Sequence, residues 1–208
     1  MKKTQLTIKE QHIYQALRQT MEKYAPLSEQ TWQAFTTITR IKKFAKASAL
    51  VRLGEIPTSY HYIYQGLVRG FTCNDKGVQY NKKFFSEGMF PGAMTALLTN
   101  SPSILALETI EETELVEINF NGFRHLLLEK DDLKLFQIHY LEQNWLLDKD
   151  QREIEIVQQD ATMRYRQFLQ QHPELIERIP QYHIASHLGI TPTQLSRIRK
   201  NFPIDQPM

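Results

Sequence analysis

Between Ile8 and Tyr24 apolar residues recur at spacing four, with Ile13, Leu17 and Met21 on one stripe. This predicts an amphipathic helix, ended by Pro26. Ser28 is a suitable N-cap for a second helix carrying Thr31, Trp32, Phe35 and Ile38. From Thr39 to Asn119 the pattern shortens. Arg40–Phe44, Ala49–Leu53, Tyr60–Tyr64, Leu67–Cys73, Val78–Phe85, Ile104–Ile110 and Glu114–Ile118 are rich in β-formers and are separated by turn residues such as Gly54, Gly66, Gly77 and Gly88. Many short strands at this spacing predict a compact barrel or jelly roll, with Met94–Leu98 as a short helix inside it. A long helical tract begins at Asn121 or Gly122. One of its stripes runs Ile138, Leu141 and Trp145 before turning polar at Asp148 and Arg152. An apolar seam on an otherwise wet helix suits a two-fold dimer interface, and packing on the chain's own barrel is the compatible alternative. Ala161–Gln171 reads as a further helix with Met163, Phe168 and Leu169 inward, followed by a helical turn over Pro173–Ile179.

The stretch from Tyr182 to Lys200 is the most informative. Ile184, Ala185 and Leu188 form the apolar stripe of a short helix, and Gly189 follows as its C-terminal stop. Thr191 is an N-cap, Pro192 suits the first helical position, and Gln194 completes a capping box. Leu195 and Ile198 face inward, leaving Thr193, Gln194, Ser196, Arg197, Arg199 and Lys200 outward. No acidic residue lies between Pro180 and Ile204. This is the layout of a helix-turn-helix whose second helix enters a DNA major groove, where carboxylates would be repelled by phosphate. The plain alternative is a helical hairpin that packs on another surface.

Composition narrows the choice. The chain has 208 residues, 41% hydrophobic and 23% charged, within the range of ordinary globular proteins. Its net charge is only +2, so affinity for nucleic acid must come from local clustering. The single cysteine, Cys73, excludes an intramolecular disulfide and fits a reducing cytoplasm. The start of the chain lacks a signal-peptide core, and no apolar run reaches membrane-spanning length. The barrel region contains only His61, which argues against a metal-dependent barrel enzyme of cupin type. Ser-His-Asp, phosphate-loop and dinucleotide signatures are absent. His183 and His187 have the i, i+4 spacing of a helical metal pair but no third ligand nearby. No enzyme activity, cofactor or metal is expected.

Barrel, long helix and C-terminal helix pair, in this order, resemble the Crp/Fnr family of bacterial transcription regulators. The resemblance spans almost everything after Ser28. It is carried by Gly54-Glu-Ile-Pro, Tyr62-Ile-Tyr-Gln-Gly66-Leu-Val-Arg, Phe85-Ser-Glu-Gly88-Met-Phe-Pro-Gly92, Ala106-Leu-Glu108 and above all by the hairpin after Ile184. It implies an α+β fold: N-terminal helices with an antiparallel, jelly-roll-like β-roll of cyclic-nucleotide-binding type (1–130), a long dimerisation helix (131–158) and a C-terminal helix-turn-helix domain (159–208). It also implies a winged helix, for which almost no sequence follows the second helix before Met208. The implied partners are a palindromic double-stranded DNA operator, a second copy of the chain and, as a further candidate, RNA polymerase, with no membrane.

In family members that bind cyclic nucleotides, a Gly-Glu holds the ribose and an Arg-Ser or Arg-Thr the phosphate. Here Gly92 is followed by Ala93, and the later position reads Thr99-Asn-Ser-Pro-Ser103 with no arginine between Arg69 and Arg124. A buried phosphate without a cation would cost on the order of several kcal/mol, so neither cyclic AMP nor cyclic GMP is expected to bind. Lys82 and Lys83 are poor substitutes, because on a strand they point to opposite faces. Phe85, Gly88, Gly92, Ala93 and Met94 remain candidates for an effector pocket. Ile138, Leu141 and Trp145 are candidates for the dimer interface. For DNA the candidates are Thr191, Thr193, Gln194, Ser196, Arg197, Arg199 and Lys200. Arg197 is the first choice for guanine and Gln194 for adenine; Ser196, Arg199 and Lys200 suit phosphates. A ligand-sensing roll whose hairpin contacts protein rather than DNA is the competing reading.

Overall fold

The computed structural model describes residues 6–147 and 159–201. They fall into two compact units, one of residues up to 70 together with 84–147, the other of residues 71–83 together with 159–201.

The first unit opens with α1 (Ile8–Glu22), capped by a reciprocal Thr7–Glu10 box. Its buried stripe is Ile13, Leu17 and Met21, as the spacing predicts. Burying each such side chain contributes about 1.5–3 kcal/mol. Helix α2 (Glu29–Thr36) starts at Ser28, whose side chain accepts from the Thr31 N–H. The strands then follow: β1 (Thr39–Phe44), β2 (Ala49–Val51), β3 (Ser59–Gln65), β4 (Val68–Cys73), β5 (Gln79–Phe85), β6 (Ala106–Thr109) and β7 (Thr113–Asn119), with α3 (Met94–Thr99) between β5 and β6. They form a three-stranded sheet in the order β1-β7-β3 and a four-stranded sheet in the order β2-β6-β4-β5. In the first sheet β7 runs antiparallel to both neighbours. At the β3–β4 turn Gly66 has φ +118°, and a Cβ there would stand 2.5 Å from the Thr113 hydroxyl oxygen, so only glycine fits.

Among the described residues, strand alternation sends apolar side chains of this unit into different clusters. Tyr60, Tyr62, Val116 and Ile118 pack with the helices. Ile63 points to the other side of the sheet and packs with Val51, Val68, Ala93, Ala96 and Leu107, which fill the inside of the roll.

The long helical tract differs from its prediction. Helix α4 (Phe120–Glu129) begins at the Asn119 cap, but Lys130 is extended at φ −119° and ψ 105°, and α5 (Asp131–Leu141) starts afresh. The break turns Asp132 toward α2, where its carboxylate accepts from Ser28 N–H at 2.8 Å and from the Thr31 hydroxyl at 2.7 Å. These hydrogen bonds, with one from Leu133 N–H, hold the Asp132 carboxyl below its usual range against the opposing effect of its burial. A π-helical turn, Glu142–Leu146, continues α5. The end of the expected helix, including Asp148, Arg152, Ile154, Ile156 and Val157, lies outside the described residues.

In the second unit the β4–β5 hairpin, closed by the Asn74–Gly77 turn, belongs with α6 (Ala161–Gln171), a single 3-10 turn (Pro173–Leu175), α7 (Gln181–His187) and α8 (Pro192–Asn201). Met163 was expected inward on α6 but is 52% exposed, and Tyr165 and Phe168 take the buried positions. Tyr165, Phe168 and Leu169 stand at i, i+3 and i+4 on one face, a period that Met163 does not share.

Candidate nucleic-acid interface

The α7–α8 pair is assembled almost wholly from local signals. Ile184, Ala185 and Leu188 are buried, as their spacing demands. Helix α7 ends with Ile190 N–H donating to Ala185 O at 3.0 Å and Gly189 N–H to Ser186 O at 3.2 Å, while Gly189 adopts φ +68°. This paired pattern is a Schellman closure, and it needs the left-handed residue that glycine supplies. Thr191 then caps α8: Gln194 N–H donates to its hydroxyl at 3.2 Å, and Thr191 N–H donates to the Gln194 side-chain oxygen at 2.9 Å. Such a box contributes about 1 kcal/mol and fixes where the helix begins.

On α8 Leu195 is buried and Ile198 half-buried, whereas Thr193, Gln194, Ser196, Arg197 and Lys200 are exposed, as is Thr191 before them. Arg199, expected outward, is half-buried near Tyr165. Burial pushes the Tyr165 hydroxyl up, and the Arg199 cation opposes that shift. Gln194 is engaged in the cap, so its side-chain oxygen is already committed.

Two bracing groups left no sequence signal. Arg164 on α6 donates to Leu188 O at 3.0 Å and to Gln159 O at 2.5 Å, tying down the last turn of α7. Asn81 on β5, fully buried, bonds to α7 through His183, Ser186 and His187. The two histidines spaced like a metal pair thus both direct Nδ1 at Asn81. Among the described residues no group of three or more His, Cys, Asp or Glu is placed to hold a metal ion.

The expected effector residues are divided. Ala93 is buried in the apolar cluster inside the roll, with Phe85 packed against it. Gly92 lies where a Cβ would come within 2.9 Å of Tyr60 Cβ and of Met94 Sδ. Met94 borders a separate cavity of about 20 Å³, lined by Tyr60, Phe90, Phe136, Tyr140 and Trp145, which has room for about one water. Gly88 sits in a turn at φ +82°. At the later position the hydroxyls are engaged locally. Thr99 bonds to Thr95 O and to Ser101, and Ser103 donates to Leu105 O. Arg69 is 5% exposed, and its guanidinium meets Glu108 at 2.8 Å. Lys82 is exposed and Lys83 half-buried.

His61 also lies within the roll, with its Nδ1 buried and unpartnered. Burial pushes its imidazole down to about 4, against a smaller upward pull from Glu117. Of the expected dimer residues, Ile138 and Trp145 are exposed and Leu141 half-buried; Leu135, Leu146 and Leu147 extend the exposed apolar surface. Leu141 and Trp145 also line the small cavity.

Residues 41–130 match the cyclic nucleotide-binding domain family. No curated protein sequence is detectably similar to the chain. Among solved structures, the fold is similar to that of CLP, the c-di-GMP-responsive global regulator of Xanthomonas campestris, at 18% identity and a TM-score of 0.67, covering 86% of this chain and 93% of that one. It is similar to FixK2 from Bradyrhizobium japonicum at 14% identity and a TM-score of 0.67, covering 79% and 84%. It is also similar to a CooA mutant from Carboxydothermus hydrogenoformans at 17% identity and a TM-score of 0.63, covering 80% and 77%. The chain thus contains a cyclic nucleotide-binding-type domain within the fold of these proteins. No helix among the described residues is long and apolar enough to cross a membrane.

Proposed function

We propose that this chain is a sequence-specific, DNA-binding transcription regulator of the Crp/Fnr type that acts in the cytoplasm as a homodimer and catalyses no reaction. The observation that carries the reading is α8. It is a capped helix with an acid-free outer side on which Thr193, Ser196, Arg197 and Lys200 are all exposed. In this reading α7 and α8 are the helix-turn-helix, and α8 is the helix that enters the major groove. Arg197, near the middle of the exposed side, contacts a base edge, with guanine as the preferred partner. Thr193 and Gln194 flank it. Thr191, Ser196, Arg199 and Lys200 hold phosphates. The seam of exposed Ile138 and Trp145 with half-buried Leu141, extended by exposed Leu135, is the dimer interface, and a dimer of such readers calls for a palindromic site.

The roll has the family's fold without its phosphate chemistry, so cyclic AMP and cyclic GMP are not its effectors. The apolar filling inside the roll and the locally bonded hydroxyls of Thr99 and Ser103 support this. Selection of random duplex DNA by the purified protein tests the proposal. The expected product is a palindrome with half-sites about one helical turn apart. Recovery of no preferred sequence would favour the alternative, in which the helix pair contacts protein.

A further inference from the structure

Strand β5 is the last strand in its sheet, and an edge strand presents backbone donors and acceptors that need partners. Here α7 supplies them. The Ser186 hydroxyl donates to Gln79 O at 2.8 Å and accepts from Asn81 N–H at 3.1 Å, while His187 Nδ1 donates to Asn81 O at 2.8 Å. Residues 79 and 81 are two apart, so these groups point to the same side of the strand. The Asn81 side chain completes the joint. Its NH2 donates to His183 O at 3.1 Å and to His183 Nδ1 at 3.2 Å. An amide NH2 only donates and a carbonyl only accepts, so His183 Nδ1 must be bare and His187 Nδ1 must carry a proton. Ser186 and His187 thus close the strand edge, and His183 takes the Asn81 side chain. The opposite side of the helix, Ile184, Ala185 and Leu188, is buried. The Asn81 side-chain bonds to His183 are buried and so shielded from competing water, whereas the Ser186 bond to Gln79 O is exposed.

We infer that Asn81 is a positioning residue for DNA reading: through it the β4–β5 hairpin holds α7, and with α7 the exposed side of α8, in the order that binding requires. This rests on the DNA-binding reading above. The joint leaves Arg197 and Lys200 exposed, so it orders the reader without masking it. A helix pair ordered in advance loses less freedom on binding than one held by its chain connection alone. The same strands continue into the roll, where Val68 of β4 lies in the interior cluster and Phe85 of β5 packs against it. A change in that interior therefore has a covalent route to the joint.

The test uses the full-length protein with two substitutions. Asn81→Asp keeps the size of the side chain but removes the NH2, leaving a carboxylate that only accepts, and Ser186→Ala removes a milder, half-buried part of the joint. Hydrogen exchange should rise at least tenfold at the α7 amides in Asn81→Asp and less in Ser186→Ala, with α1 and β3 unchanged. The dissociation constant for the selected duplex should rise about tenfold in Asn81→Asp, with the preferred sequence unaltered. Unchanged α7 protection in both variants, or faster exchange with unchanged DNA affinity, would overturn the inference. A wild-type protein that selects no sequence overturns the DNA-binding reading itself, and with it the coupling, before any variant is made.

Discussion

The Gly92–Ser103 corner of the roll and the α7–α8 pair are both short segments containing a helix and a motif, yet their polar groups are used differently. In the corner, α3 has no side-chain cap, Ala93 is turned into an apolar cluster, and the hydroxyls of Thr99 and Ser103 bond to their own backbone. In the helix pair, one hydroxyl and one amide close the cap of α8, and Thr193, Ser196, Arg197 and Lys200 beyond it are exposed. A segment whose polar groups are satisfied internally has little left for a ligand. A segment whose cap is complete and whose outer donors remain exposed is ready for one. On this contrast the roll has kept a fold and the helix pair has kept a surface.

The largest effect is expected at the proposed dimer seam. Ile138→Asp places a carboxylate on exposed apolar surface, which a monomer tolerates and a packed dimer interface does not. Sedimentation should show a monomer, and affinity for the palindrome should fall by about a hundredfold or more as the two half-sites cease to be bound together. A dimer that persists would remove α5 from the interface. Next comes Arg197→Ala. Loss of a base contact costs about 1–3 kcal/mol and should relax preference at one position of the site, as read by repeating the selection. An unaltered preference would shift the reading role to another residue of α8.

The interior of the roll makes a prediction of similar size in stability. His61 is neutral when folded, with its imidazole held near 4, while an unfolded histidine titrates near 6.5. As pH falls below 6.5 the unfolded chain takes up the proton first, so stability is full above that value and declines down to about pH 4. The loss attributable to this one group is on the order of 3 kcal/mol. Denaturant titrations of wild type and His61→Phe should diverge in slope over that window. Parallel pH profiles would show that His61 is accessible to water when folded. A smaller effect is expected from Thr191→Ala, which removes the α8 cap and should cost about 1 kcal/mol, seen as faster exchange in the first turn of α8. The smallest is the absence of response to cyclic AMP or cyclic GMP. Neither nucleotide at millimolar concentration should raise the melting temperature, and a rise of several degrees would mean that the corner holds phosphate by groups other than an arginine.

What the sequence revealed follows the range of the interactions involved. The α7–α8 pair was legible because its determinants, Gly189, Thr191 and Gln194, act within a few residues of one another. The strands were legible for the same reason, through turn residues and alternation. Lys130 was not, because the partner that rewards the break, the Ser28 N–H, lies 104 residues from Asp132. Asn81 looked like one polar residue in a strand, and its partner His183 is 102 residues away. Arg164 reads as an ordinary helix-surface arginine until Leu188 O is brought beside it. Met163 stands five and six residues before Phe168 and Leu169, off the face that Tyr165 completes at i, i+3 and i+4, so the helical period itself favours Tyr165. The effector residues were grouped by motif, but they lie on a strand end, a turn, a loop and a helix start, and only Phe85 and Ala93 share a cluster.

The account stands on the outer side of α8 meeting the DNA backbone. Its most direct test is the salt dependence of binding to the selected duplex, measured for wild type and Lys200→Ala. Affinity should fall steeply with salt in the wild type, and the substitution should flatten the logarithmic slope by about 1 while leaving the preferred sequence intact. Identical slopes for the two proteins, or retention on DNA that is indifferent to salt, would contradict it.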